Sequence, residues 1–274
     1  GDGSYDFRGD QPNASLSANT RHLPPLLLDG EFGELASDNA LVDFDGDHLP
    51  EIPVGRLPAA DAEEAEAMVD KILAYEDRAY GVGFEERALL VADDWTEAWE
   101  QYYFEGLTLD LAGELPPWME AESVLVSELG AATAAERILD SLNEGVVWVN
   151  YFGHGSYNSW AAEQVFDLSA LASLENGDAP FFATSLTCSN ATFHFQNVGP
   201  TGASSRGLAE SAVLMPEGGA VGFWAATSNV YAEPLPAIAH EFARTAFQGR
   251  NWRVGDAILA PIVNDRSGST DAER

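Results

Sequence analysis

Two residues in this 274-residue chain have the types for nucleophilic chemistry: a lone cysteine, Cys188, and a histidine set in Gly153-His154-Gly155-Ser156. Cys188 stands in the run Ser185-Leu186-Thr187-Cys188-Ser189-Asn190. A thiol attacks as its thiolate, and it needs a neighbouring base or cation to reach that form at neutral pH. Imidazole is the side chain whose ordinary pKa suits that task. Taken singly, Cys188 reads as a small buried hydrophobe and His154 as a turn residue closing a strand. Brought together, they read as nucleophile and base. Gly155 lets the backbone approach a ligand, and its N–H can face a developing oxyanion. With one cysteine no internal disulfide forms.

For these two to meet, two strands must deliver them to one edge. Apolar runs at 88–92, 123–126, 146–151, 181–184 and 219–226 read as buried strands. Helix-patterned stretches near 97–112, 132–143, 205–214 and 235–247 alternate with them. Continuous apolar strands between amphipathic helices predict an α/β fold, a mostly parallel sheet covered on both faces. Sites in such sheets lie beyond the carboxyl ends of the strands. The runs 146–151 and 181–184 lead directly into His154 and Cys188, which are 34 residues apart. Upstream, 60–79 places Ala65, Met68, Val69, Ile72 and Leu73 at helical spacing. Residues 1–59, rich in Gly, Pro, Asp and Asn, read as long loops.

A second constellation is Asp43-x-Asp45-Gly46-Asp47-x-x-x-Glu51. Oxygen ligands at positions 1, 3, 5 and 9 suit a hard cation such as calcium. The loop is no EF-hand: His48 stands where that loop needs glycine, and Val54 is at position 12. The plainer alternative is an acidic turn whose aspartates cap local backbone. The other histidines (His22, His48, His194, His240) pair with no Cys or His at zinc spacing. There is no G-x-S-x-G elbow and no phosphate loop, which argues against a serine hydrolase or a P-loop NTPase.

The net charge is −32, with Lys71 the sole lysine beside twelve arginines. Such a surface repels a phosphate backbone, so nucleic acid is excluded as a partner. It fits a high-salt or GC-rich source, or a surface that attracts calcium or basic peptides. No apolar run approaches the ~18 residues of a membrane span, and no signal peptide is visible.

At these residues the chain resembles the gingipain-like cysteine peptidases, family C25 of the caspase-fold clan. The resemblance rests on GDGSYDFR (1–8), DFDGDHLPEIPVGRLPA (43–59), KILAYE (71–76), VNYFGHGS (149–156) with Trp160, TSLTCSN (184–190) and GGAVGFWAATSN (218–229). It implies a caspase-like α/β/α sandwich, with 1–80 the remainder of an N-terminal subdomain carrying the Asp-rich loop and 81–274 the catalytic subdomain. It implies a dyad of Cys188 and His154, with the N–H groups of Gly155 and Cys188 as oxyanion donors. No cofactor is required for that chemistry, and a structural calcium ion on Asp43, Asp45, Asp47 and Glu51 is expected. The family's preference for Arg or Lys before the scissile bond uses an aromatic wall and an acid. Tyr231 is the nearest match for the wall, where gingipains carry tryptophan. Glu233, Glu105 and Asp94 compete for the acid.

The resemblance further implies protein or peptide substrates and a secreted or cell-surface home. Both ends look cut, so further segments of its own precursor are expected partners, and Arg274 fits self-processing. Two rivals share these residues: a sortase-like transpeptidase, and a non-catalytic calcium-binding or adhesion module.

Overall fold

The computed structural model describes residues 25–78, 83–194, 197–198, 204–248 and 253–264. The GDGSYDFR segment, His22 and Arg274 lie outside the described residues.

A hairpin of β1 (Leu26–Gly30) and β2 (Gly33–Ser37) comes first. It arises where the composition suggested loop, because the two-residue turn Glu31–Phe32 pairs Gly30 with Gly33 and zips the flanking runs. Helix α1 (Ala62–Asp77) follows, capped by Asp61 accepting the Glu64 N–H at 3.0 Å. Five strands then build the main sheet: β3 (Arg87–Ala92), β4 (Glu120–Leu125), β5 (Trp148–Phe152), β6 (Phe181–Leu186) and β7 (Ala220–Ala225). Their order is β7-β6-β5-β3-β4, and every neighbouring pair is parallel.

The strands' strict alternation divides the core into two layers. Leu89, Val91, Val149, Tyr151 and Ala183 face one side, where α4 (Ala131–Glu144) and α5 (Leu208–Leu214) supply Ile138, Leu142, Leu208 and Ala212. Ala88, Leu90, Trp148, Phe152 and Leu186 face the other. That side is covered by α3 (Leu107–Glu114), α6 (Leu235–Ala243) and α7 (Val254–Asn264), and the short α2 (Ala98–Gln101) precedes α3 in the chain. A π turn, Tyr102–Gly106, joins α2 to α3. Burying each large aliphatic contributes about 1.5–3 kcal/mol, and this drives the layers together.

Lys71 anchors α1 to this body. It is 8% exposed, and its ammonium donates to the carbonyls of Val213, Met215 and Gly218 at 2.8, 2.7 and 3.2 Å. These carbonyls lie at and beyond the C-terminus of α5, where a cation suits the helix dipole. Among the described residues no helix is long and apolar enough to cross a membrane.

Candidate active site

Strand order reverses between β3 and β5, and the crevice at such a reversal is where parallel sheets hold their ligands. Phe152 of β5 and Leu186 of β6 are direct partners across the ladder. His154 and Cys188 each follow by two residues, leaving the same edge from adjacent strands. Gly155 and Thr187 then touch: a β-carbon on Gly155 would lie 2.6 Å from Thr187 Oγ1 and 2.7 Å from its Cγ2.

Asn190 fastens the two loops. It is fully buried, and its amide donates to the carbonyls of Ser156 and Ser159. Its oxygen accepts from Trp160 Nε1 at 2.8 Å and Ser185 Oγ at 2.6 Å. On the other flank, the N–H groups of Ser189 and Ala191 donate to Ser228 and Ala226, both at 2.9 Å. Three strand-end loops are thus sewn around Cys188. The cysteine is half-buried, and its Sγ lies 3.8 Å from the Val230 carbonyl. Ser189, next in sequence, holds a left-handed φ of +61°, a strain that polar cross-links must sustain.

The structure adds a residue that sequence reasoning missed. Glu100 Oε1 lies 3.1 Å from His154 Nε2. The other oxygen, Oε2, accepts the N–H groups of Thr96 and Glu97, both at 2.8 Å, as part of a capping box. Burial pushes this carboxyl up, but those N–H groups and the His154 bond outweigh it and hold it down at about 2. A carboxylate ionised at working pH only accepts, so His154 Nε2 carries a proton toward it and Nδ1 is the nitrogen left for proton exchange. Phe104 packs edge-on to the imidazole at 5.2 Å. The sequence signal was the T-x-x-x-E pattern opening a helix just after β3, at the same sheet edge.

The other expected residues are placed as follows. Asp94 follows β3, and burial and the charge of Glu163 raise its carboxyl while His154 lowers it. Glu105 lies within the π turn and is bonded by the Ser127 hydroxyl. Glu233 is exposed on the loop of Tyr231. The Tyr231 hydroxyl donates to Glu31 at 2.8 Å, and its ring stands 4.8 Å from Phe32, so the tip of the β1–β2 hairpin meets the loop after β7. Asp43, Asp45, Asp47 and Glu51 present carboxylate oxygens within 4.8 Å of one another. They also cap local backbone: Asp43 accepts the N–H groups of Gly46 and His48 at 2.7 and 3.1 Å. His48 takes φ of +68°, the glycine conformation that the loop's sixth position requires.

A model of Peptidase family C25 matches residues 1–270. The chain belongs to peptidase family C25. Among curated family C25 relatives it is similar to Lys-gingipain W83 of Porphyromonas gingivalis, 27% identical over 168 residues, 55% of this chain and 8% of that protein. A Lys-gingipain of Porphyromonas gingivalis strain ATCC 33277 is 29% identical over 171 residues, again 55% of this chain and 9% of that one. The chain therefore spans under a tenth of those relatives. Among solved structures, it superposes on the Arg-specific cysteine proteinase gingipain R with a TM-score of 0.71 at 19% identity, covering 92% of this chain and 58% of that one. The caspase-like α/β fold expected from the sequence is the fold observed.

Proposed function

We propose that this chain is a cysteine endopeptidase in which Cys188 is the nucleophile and His154 its acid–base partner. The observation that carries it is the His154 imidazole, tethered by a buried carboxylate at the strand end beside the one that delivers Cys188. His154 takes the Cys188 thiol proton on Nδ1, the thiolate so formed attacks the scissile carbonyl, and the carbonyl's electron pair moves onto its oxygen. The N–H groups of Gly155 and Cys188 hold that oxyanion. His154 gives its proton to the leaving amine as the C–N bond breaks, leaving a thioester. It then takes a proton from the water that hydrolyses the thioester. Glu100 steadies the imidazolium present before the amine leaves and formed again when water is deprotonated.

The preferred substrates are peptides with Arg or Lys before the scissile bond, a reading supported by the names of the relatives and the net charge of −32. Tyr231 is the wall of that pocket, and Glu233 on its loop is the first choice for the acid, with Asp94 next. Peptide-library cleavage tests this: cuts after Arg or Lys, abolished by Cys188→Ala, support it. Cuts after apolar or acidic residues remove the basic preference. Product joined to an added amine in place of water favours a transpeptidase.

Asp43, Asp45, Asp47 and Glu51 hold a structural calcium ion in this reading, since four acids that close repel one another until a cation neutralises them. Calorimetry on chelated protein expects uptake that Asp45→Asn weakens, and no uptake overturns it. A secreted or surface location and association with other precursor segments complete the proposal.

A further inference from the structure

We propose that Asp93 and Tyr151 are positioning residues that grip the main chain on either side of His154 and so aim the Gly155 N–H at the developing oxyanion. This rests on the cysteine-peptidase reading above.

Both side chains are buried, Asp93 at 1% and Tyr151 at 0% exposure. Asp93 follows β3, and its own N–H donates to the Phe152 carbonyl at 2.9 Å, so the β3–β5 ladder fixes its backbone. Its Oδ2 accepts the His154 N–H at 2.9 Å, and its Oδ1 accepts the Asp94 N–H at 3.0 Å. The Tyr151 hydroxyl donates to the His154 carbonyl at 2.6 Å and accepts the Ala161 N–H at 2.9 Å. The Tyr151 ring lies flat on Trp160, with centroids 4.6 Å apart and planes 6° from parallel, so the hydroxyl is rigidly placed. The chain passes between the two through Gly153. A β-carbon there would lie 2.3 Å from Asp93 Cβ and 2.5 Å from Tyr151 Oη, so only glycine fits.

A trans peptide points its C=O and N–H in opposite directions. The His154 carbonyl is held toward Tyr151 and Ala161, whose N–H also reaches it at 2.8 Å. The Gly155 N–H therefore points away from them. Gly155 pairs with Trp160 in the antiparallel strands Gly155–Ser156 and Ser159–Trp160. Because the bond beside them runs from Ala161 N–H to the His154 carbonyl, this pair is of the non-hydrogen-bonded kind. The ladder thus makes no use of the Gly155 N–H, and the residue that carries it packs its α-carbon against Thr187, next to the nucleophile.

The test separates oxyanion binding from thiol reactivity. Tripeptidyl aldehydes ending in Arg, Lys or Leu add to the Cys188 thiolate and place a hemithioacetal oxygen where the oxyanion forms. Iodoacetamide alkylates the same sulfur by displacing iodide and forms no oxyanion. For Tyr151→Phe, kcat and aldehyde affinity are expected to fall together by roughly 10- to 100-fold, the scale set by a misplaced donor. KM and the iodoacetamide rate stay within about twofold of wild type on the same argument. Asp93→Ala behaves like Tyr151→Phe, and Asp93→Asn, which keeps an acceptor for the His154 N–H, restores most of the loss. Thermal melts accompany each variant, and the Asp93 pair carries the test should Tyr151→Phe not fold. A Tyr151→Phe protein equal to an active wild type, or one slowed equally toward aldehyde and iodoacetamide, overturns the proposal alone. A wild type that cleaves no peptide and binds no aldehyde overturns the peptidase reading, and this proposal with it.

Discussion

Glu100 and His154 meet at 3.1 Å, and the same carboxylate that receives the imidazole also caps the helix on which it sits. Orientation of the imidazole and the start of α2 are therefore one interaction. A side chain that served only the helix would have no reason to turn its second oxygen to the sheet edge.

Replacing Glu100 by Gln keeps an acceptor for the cap and removes the charge that steadies the imidazolium. We expect kcat/KM to fall roughly 100-fold or more, as when an orienting carboxylate is neutralised in other triads. The carboxyl is held at about 2, below its ordinary 4.5, so its contribution to stability is complete above 4.5 and fades as pH falls toward 2. Melting curves of wild type and Glu100→Gln should therefore converge across that window and differ above it. Curves that stay parallel from pH 7 to pH 3 would contradict it.

Asp93 carries the opposite sign. Burial raises its carboxyl to about 6 from 3.8, against the His154 N–H that lowers it; Asp94 raises it further, and the His154 charge and the Tyr151 hydroxyl lower it. A raised carboxyl favours the fold below 3.8, and that advantage is lost as pH climbs through 6. Between those two values the Tm of wild type minus that of Asp93→Asn should fall as pH rises. A difference that rises over the same range would contradict the assignment.

Much of the scaffold was legible from periodicity. The five apolar runs became β3 to β7 because buried parallel strands are continuous in apolar residues, and the helix at 60–79 became α1, though of its apolar stripe only Met68 is buried, Val69 and Leu73 are exposed, and Lys71 joins the inner face. The convergence of the His154 and Cys188 loops followed from strand order. Glu100 stayed hidden, since its helix-opening pattern marks a cap and not a tether for a histidine 54 residues on. Asn190 and Tyr151 stayed hidden for another reason: both bond backbone carbonyls, which no residue-type pattern reveals. The hairpin at 26–37 was masked by neighbouring Gly and Pro, because its stability comes from pairing and from the contacts of Phe32 and Thr227.

Gly155 admits no side chain without moving Thr187. Gly155→Ala is expected to cost about 1–3 kcal/mol, the usual range for overpacking, and to lower kcat roughly 100-fold or more by displacing the donor. Thr187→Ser with Gly155→Ala should restore part of the stability, since it removes the Cγ2 that the new methyl meets. A Gly155→Ala protein with wild-type kcat would exclude this N–H from the oxyanion site.

Asn190 makes three hydrogen bonds that join the two loops and a fourth to Ser185 of the strand before it, and Ala at this position removes all four. The expected loss is about 2–4 kcal/mol from hydrogen bonding at this buried site. Denaturant titration measures it, and Cys188 alkylation should lose its dependence on His154 as the loops part. A variant as stable as wild type would show that the strands alone hold the site.

The pairing of Cys188 with His154 is tested most directly by a peptidyl acyloxymethyl ketone, which alkylates a thiolate held beside an imidazole far faster than an ordinary thiol. Mass spectrometry of native protein treated with Arg- and Lys-bearing probes should find one adduct, mapped to Cys188, that vanishes in His154→Ala. An adduct formed equally in His154→Ala, or no adduct at Cys188 in folded wild type, would contradict the account.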